Sequence, residues 1–283
     1  MYHDRTGMTA ALAIPDRRKR SRKPIRSGRR PGTRIQLLDQ SLDLVRPEEV
    51  MAEVEGWIED GQKAVVANHN LHSMELVRSD PIMQAFYSQA DLIQVDSKPL
   101  IWLARACGYS ASGMHRSTYL DWRNHFWSLA NRRGWRVFYV GGADGVAATA
   151  AASLAERYPR AVIGTHSGYF DATPGSTSND DVLDQIRDFA PNIILVGMGM
   201  PRQEAWIVQN LADLPDAVIF NVGAAFDYEA GVQKAAPRWM GKSGLEWLYR
   251  LVNDPGRLFH RYCVEPWRLA GPIWRDLHRS RDA

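Results

Sequence analysis

Ile193-Ile194-Leu195-Val196-Gly197-Met198-Gly199-Met200-Pro201-Arg202-Gln203-Glu204-Ala205-Trp206 carries an apolar run directly into two glycines, a proline and a polar triplet. Four apolar residues without alternation read as a strand buried on both faces. Gly197 and Gly199 permit close approach of a ligand or of another backbone. Pro201 suits the first turn of a helix, where its missing N–H costs nothing. A strand covered on both faces and delivered into a helix is the repeating unit of a parallel sheet. The free amides of such a helix start favour an anion, for example a phosphate. On local grounds an anion cradle and a plain strand-to-helix turn are both open.

The same pattern recurs on either side. Ile35–Leu38, Ala64–Ala67, Leu92–Val95, Val137–Val140, Ala161–Gly164 and Val218–Val222 read as further strands. Helical stretches of about 10 to 17 residues lie between most of them. One helix starts at Pro47-Glu48-Glu49, with acids in the first turn as the helix dipole favours. The alternation predicts an α/β fold: a Rossmann-like, mainly parallel sheet with helices on both faces, over residues 35–242. Residues 243–283 read as a C-terminal helical appendage. There Leu245, Leu248, Leu251 and Val252 fall on one helical face, and Glu246, Arg250 and Asn253 on another. Arginines interleaved with Phe259, Tyr262, Trp267, Ile273 and Trp274 follow, a mixture that suits a membrane interface as well as a packed cap.

Composition narrows the class. The 283 residues are 45% apolar and 24% charged, as in a soluble globular protein. No apolar run approaches the roughly 18 residues that cross a bilayer. The short apolar segment Met8–Pro15 has its basic cluster after it rather than before it, so secretion is not expected. Cys107 and Cys263 form no paired motif, which suits a reducing cytoplasm and provides no zinc site. The net charge of +3 hides a division: residues 17–34 hold ten Lys or Arg and no acid, so the remainder carries −7. Residues 1–34 read as a basic, disordered tail able to touch anionic lipid. No specific nucleic-acid contact is expected from an acidic body without a groove-reading element.

Polar or glycine-rich turns follow the strands, where open parallel sheets bind their ligands. Asn68-His69-Asn70 offers two amides to a sugar or base, though asparagine is also a common turn residue. His69 and His72 lack the carboxylate or cysteine that would complete a metal set. Asp96 ends an apolar strand, as a general base or as a helix cap ahead of Pro99. Gly141-Gly142-Ala143-Asp144-Gly145 opens an alanine-rich helix and is able to hold a diphosphate. The next strand ends in Thr165-His166-Ser167 rather than the acid that grips an NAD ribose. Asp227 and Glu229, after the last strand, lie close enough to pair with Arg238 or to bind substrate.

Taken together, VFYVGGADGVAATAAASLAERYP (137–159), HSGYFD (166–171), NIILVGMGMPRQEAWI (192–207) and NVGAAFDYEAGVQKAAPRWMGKSGLEWLYRLVNDPGRLFHRY (221–262) resemble the bacterial WecG/TagA/CpsF glycosyltransferase family. VVANHNLHSMEL (65–76) and VDSKPLIWLA (95–104) resemble its N-terminal motifs more loosely, and the whole resemblance spans roughly Ile35 to Trp267. It implies inverting transfer of a hexose-type sugar from a UDP-sugar to a polyprenyl-diphosphate-linked saccharide. The setting would be cell-envelope or exopolysaccharide synthesis at the inner face of the cytoplasmic membrane. By resemblance, Asp96 is the base, Asn68, Asn70 and Gln203 contact substrate, and Arg250, Arg257 and Arg261 meet the acceptor diphosphate. Gly141, Gly142, Gly199, Arg202 and Asp227 complete the expected cleft. No Asp-x-Asp sits at a strand end, so no obligatory metal is expected, and helix-start amides with arginines would stabilise the leaving diphosphate. The sequence leaves homo-oligomer formation open.

The sequence departs from the family in places. Ser97 stands where the family's glycine follows the aspartate, Asn68 replaces a threonine, and Arg202 replaces a lysine. Gly113-Met114-His115 replaces a Gly-x-Asp motif, a change that bears on donor or acceptor selection. An NAD-dependent nucleotide-sugar epimerase or dehydrogenase and a non-catalytic relative are the alternative readings.

Overall fold

The computed structural model describes residues 33–279 apart from 234–235, 238–239 and 241–243. The chain opens with a hairpin, β1 (Arg34–Leu37) and β2 (Gln40–Asp43), paired antiparallel. This corrects two expectations. The segment Ile35–Leu38 does not join the parallel sheet, and Arg34 belongs to a strand rather than to the basic tail. The hairpin was hidden because its turn uses left-handed backbone at Leu38 (φ 53°) and Asp39 (φ 62°), without the glycine that marks such turns. Asp43 ties the hairpin down, accepting from Arg34 Nε at 2.8 Å and from the Ile93 amide at 2.8 Å. The tail up to residue 32 lies outside the described residues.

Next come α1 (Pro47–Glu59), β3 (Ala64–His69), α2 (Leu71–Leu76), α3 (Pro81–Gln89), β4 (Leu92–Val95), α4 (Lys98–Ala106), α5 (Tyr119–Arg133), β5 (Arg136–Gly141) and α6 (Val146–Arg157). They are followed by β6 (Val162–His166), α7 (Thr177–Phe189), β7 (Ile193–Gly197), α8 (Arg202–Asn210), β8 (Val218–Asn221) and α9 (Ala225–Glu229). Six strands form one sheet in the order β4-β3-β8-β7-β5-β6, every neighbouring pair parallel. One face is packed by α2, α3, α4, α7 and α8, the other by α1, α5, α6 and α9. After β5 and β8 the chain therefore turns to one face, and after β7 and β3 to the other. Such reversals open a crevice beyond the carboxyl ends of the strands.

The C-terminal segment is helical: α10 (Glu246–Asn253), α11 (Pro255–Phe259), a π-helical turn at His260–Val264, α12 (Glu265–Arg268) and α13 (Ala270–Arg279). It crosses the β3–β4 end of the crevice. Leu269 is buried in the core, His72 Nδ1 meets Glu265 at 2.5 Å, and Arg268 meets Glu75 at 2.8 Å. α13 reaches the hairpin, where Asp276 accepts from the Leu38 amide at 2.6 Å. No helix among the described residues is long and apolar enough to cross a membrane.

Candidate active site

Asn70 caps α2, its Oδ1 accepting from the Ser73 amide at 3.1 Å. Its side chain lines the same cavity as Asp96. Asp96 directly follows β4, and its amide donates to the His69 carbonyl at 2.8 Å. The cap position of α4 falls on Ser97, not Asp96, so Asp96 is free of that duty. Its carboxyl faces a cavity of about 230 Å³ walled by Asn70, Lys98, Arg116, Arg250 and Arg261, among others. Burial pushes this carboxyl up to about 6, opposed by Arg250 and Arg116; Glu246 adds to the rise and Asn70 restrains it.

The cations are built in from two directions. Arg116 pairs with Val95 in a single parallel bridge, which sets it beside Asp96, and its guanidinium meets Glu246 at 2.8 Å. Arg250, on α10, donates to Glu246 at 3.0 Å and to the Tyr228 hydroxyl at 2.7 Å. Burial opposes its charge, but surrounding groups that include Glu246 and Asp96 hold its pKa above the ordinary arginine value. Arg261, in the π-helical turn, is pushed down by burial, against Tyr262 and Asp96. Its Nε is buried without a partner among the described residues. The side chain of Arg257 lies outside the description. Three guanidiniums and Lys98 around one carboxyl form a pocket suited to a substrate carrying phosphate charge.

The remaining expected residues lie farther along the same edge. Gly141 and Gly142 form the turn after β5, where the Gly168 amide donates to the Gly142 carbonyl at 2.9 Å and Asp227 lies beside Gly142. Glu229 does not accompany Asp227 into the crevice. It is buried and receives Tyr119 Oη at 2.9 Å, Arg123 at 3.2 Å and Arg157 at 2.6 Å. Arg238, the expected partner, lies outside the described residues.

In the opening stretch, the two glycines differ. A Cβ on Gly197 would collide with the Tyr139 hydroxyl and the Gly223 carbonyl, whereas Gly199 has open space but a φ of 81°. Close approach therefore concerns Gly197, and backbone hand concerns Gly199. Pro201 precedes the helix rather than opening it. Arg202 donates to the Phe170 carbonyl at 2.7 Å and lies over its ring, bracing the 166–171 loop. Gln203 is 3% exposed, with its Oε1 accepting from the Gly223 amide at 3.1 Å and its Nε2 donating to Glu204 at 2.7 Å. Asn68 Nδ2 donates to the Asn221 carbonyl at 2.8 Å.

His69 is buried against Tyr87 and burial pushes it down to about 3, so it stays neutral. Among the described residues no group of three or more His, Cys, Asp or Glu gathers as a metal set. His115, one of the departures, lies in a different groove with Arg46 and Glu49, while its neighbour Arg116 enters the cavity. Sequence reasoning missed Arg116, Glu246 and Lys98. The Lys98-Pro99 start of α4 was visible, but the Val95–Arg116 bridge leaves no local pattern.

Comparison with known proteins identifies the family of the chain. The profile of the Glycosyl transferase WecG/TagA/CpsF family matches residues 35–283. N-acetylglucosaminyldiphosphoundecaprenol N-acetyl-beta-D-mannosaminyltransferases from Staphylococcus aureus strains MW2 and NCTC 8325 are each 27% identical over 206 residues, covering 69% of this chain and 78% of the relative. With a parallel α/β sheet, a crevice at its carboxyl edge and a family match running from the hairpin to the last residue, this chain belongs to the WecG/TagA/CpsF family of glycosyltransferases.

Proposed function

We propose that this enzyme transfers a hexose-type sugar, with inversion, from a UDP-sugar to a polyprenyl-diphosphate-linked saccharide. The observation that carries the reading is the cavity in which Asp96 stands among Arg116, Arg250 and Arg261. An anionic acceptor diphosphate neutralises those cations and brings its sugar hydroxyl to the carboxylate. Asp96 takes the hydroxyl proton, the oxygen attacks the anomeric carbon, and the bond from that carbon to the UDP oxygen breaks. The donor diphosphate lies along the edge at the Gly141–Gly142 turn and the start of α6, with Asp227 alongside. Fixed amides and guanidiniums, rather than an obligatory metal, stabilise the leaving UDP. The acceptor class is supported by the names of the Staphylococcus relatives, which act on N-acetylglucosaminyldiphosphoundecaprenol.

The acceptor being lipid-linked, the enzyme works on the inner face of the cytoplasmic membrane as a peripheral protein. The test is UDP release and product mass with a short-chain lipid-diphosphate acceptor and a panel of UDP-sugars. Asp96→Asn is expected to lower turnover by about 10²-fold or more, and normal turnover in that variant removes the base assignment. Full activity in EDTA is expected. Loss that Mg²⁺ or Mn²⁺ restores overturns the metal-free part.

A further inference from the structure

Glu204 follows Pro201 by three residues, and a glutamate there ordinarily serves a helix start from solvent. Here it is 0% exposed. One carboxyl oxygen, Oε1, accepts from both Gln203 Nε2 at 2.7 Å and Asn221 Nδ2 at 2.8 Å. The other, Oε2, is buried with no partner among the described residues. A carboxylate only accepts, so both amides must turn their NH₂ groups toward it and their oxygens away. Gln203 Oε1 thereby receives the Gly223 amide, and Asn221 Oδ1 receives Asn68 Nδ2 at 3.2 Å. Asn68 then has its donor committed to β8, and its own Oδ1 stays available at the carboxyl end of β3, on a half-buried residue. The buried acid thus sets the direction of the Gln203 and Asn221 amides, and the Asn221 Oδ1 that it turns toward β3 joins the Asn221 carbonyl, at 2.8 Å, in holding the Asn68 NH₂.

We infer that Glu204 is a positioning residue for sugar transfer: it turns the Gln203 and Asn221 amides so that Asn221 Oδ1, together with the Asn221 carbonyl, holds the Asn68 NH₂ and Asn68 offers the crevice an acceptor oxygen. The functional half of this inference rests on the reading of the crevice as a sugar-nucleotide site; the orienting half does not. An amide turned the wrong way presents a donor where a substrate hydroxyl needs an acceptor, and leaves buried groups unpaired.

The test compares Glu204→Met, which removes the acceptor at similar length, with Glu204→Gln, which keeps an oxygen in place. Thermal unfolding and circular dichroism accompany both. Glu204→Met is expected to reduce kcat by on the order of tenfold or more, Glu204→Gln to recover most of that loss, and Glu204→Met in an Asn68→Ala background to add nothing further. In ¹⁵N spectra the side-chain amide signals of Asn68 and Asn221 are expected to shift in Glu204→Met and to hold in Glu204→Gln. Unmoved signals in a folded Glu204→Met protein overturn the orienting role whether or not the enzyme transfers sugar. Moved signals with unchanged or additive kinetics overturn the functional role alone. If Glu204→Met does not fold, Asn221→Ala cuts the same relay at its next link and is judged by the Asn68 signals and the same kinetics.

Discussion

As the proposed base, Asp96 must be ionised to accept a proton, and its surroundings delay that ionisation. Burial sets its pKa near 6, with Arg250 and Arg116 holding it from rising further. Below about pH 6 the carboxyl is protonated and the base is lost; above it the carboxylate is present. The expected profile of kcat/KM is therefore a single rise, tenfold per pH unit on the acid side and flat above about pH 6. Arg116→Met takes away a nearby positive charge, so the rise should move to higher pH. Glu246→Gln takes away a negative one and should move it lower. Both shifts are read from pH–rate profiles, and shifts in the opposite direction would separate the rise from Asp96. Position at a strand end made Asp96 visible in the sequence. Glu204 was not visible, because Arg-Gln-Glu at a helix start reads as a solvated first turn and only the fold shows that it points inward.

At the scale of elements, the parallel sheet was legible because β3, β4, β7 and β8 are buried on both faces and so are written as continuous apolar runs. The β1–β2 hairpin was not, since Gln40–Asp43 is largely polar and its turn carries no glycine. The C-terminal helices were legible as helices, but their ion pairs to α2 and their hydrogen bond to the hairpin join residues about 190 to 240 positions apart, which no local pattern records. The turn after β7 gives a direct test. Gly197→Ala places a methyl against the Tyr139 hydroxyl and the Gly223 carbonyl, so β5, β7 and β8 must part. Its expected cost is about 3 kcal/mol, the upper end for an overpacked core. Gly199→Ala meets no atom and costs only the left-handed backbone, about 1 kcal/mol. Thermal or urea unfolding should therefore rank Gly197→Ala well below Gly199→Ala, and equal losses would mean that the strands do not approach as described. The clasp between α13 and the hairpin is a second case. Asp276→Ala removes the carboxylate that holds the Leu38 amide, and hydrogen exchange should quicken in both 270–279 and 34–43 while β7 stays protected.

For the whole molecule, the C-terminal segment has two sides with different duties. Arg250 and Arg261 turn inward to the cavity, while among the described residues Leu248, Val252 (73% exposed), Phe259, Trp267 (78% exposed) and Trp274 keep much of their surface exposed. So many large apolar side chains on short helices that also carry arginines are costly in water and suited to the headgroup boundary of a bilayer. A membrane placed against that face would bring a lipid diphosphate toward the same arginines from outside. If this is how the enzyme meets its acceptor, replacing Trp267 and Trp274 by alanine should leave unfolding unchanged, because both are exposed, yet reduce sedimentation with anionic liposomes by about tenfold or more. Salt separates this apolar contribution from the basic residues 17–34. Charge attraction by that stretch fades at about 0.5 M salt, while insertion of the aromatic face persists. Binding that disappears in salt but ignores the two tryptophan substitutions would assign the membrane contact to the basic stretch and not to α10–α13.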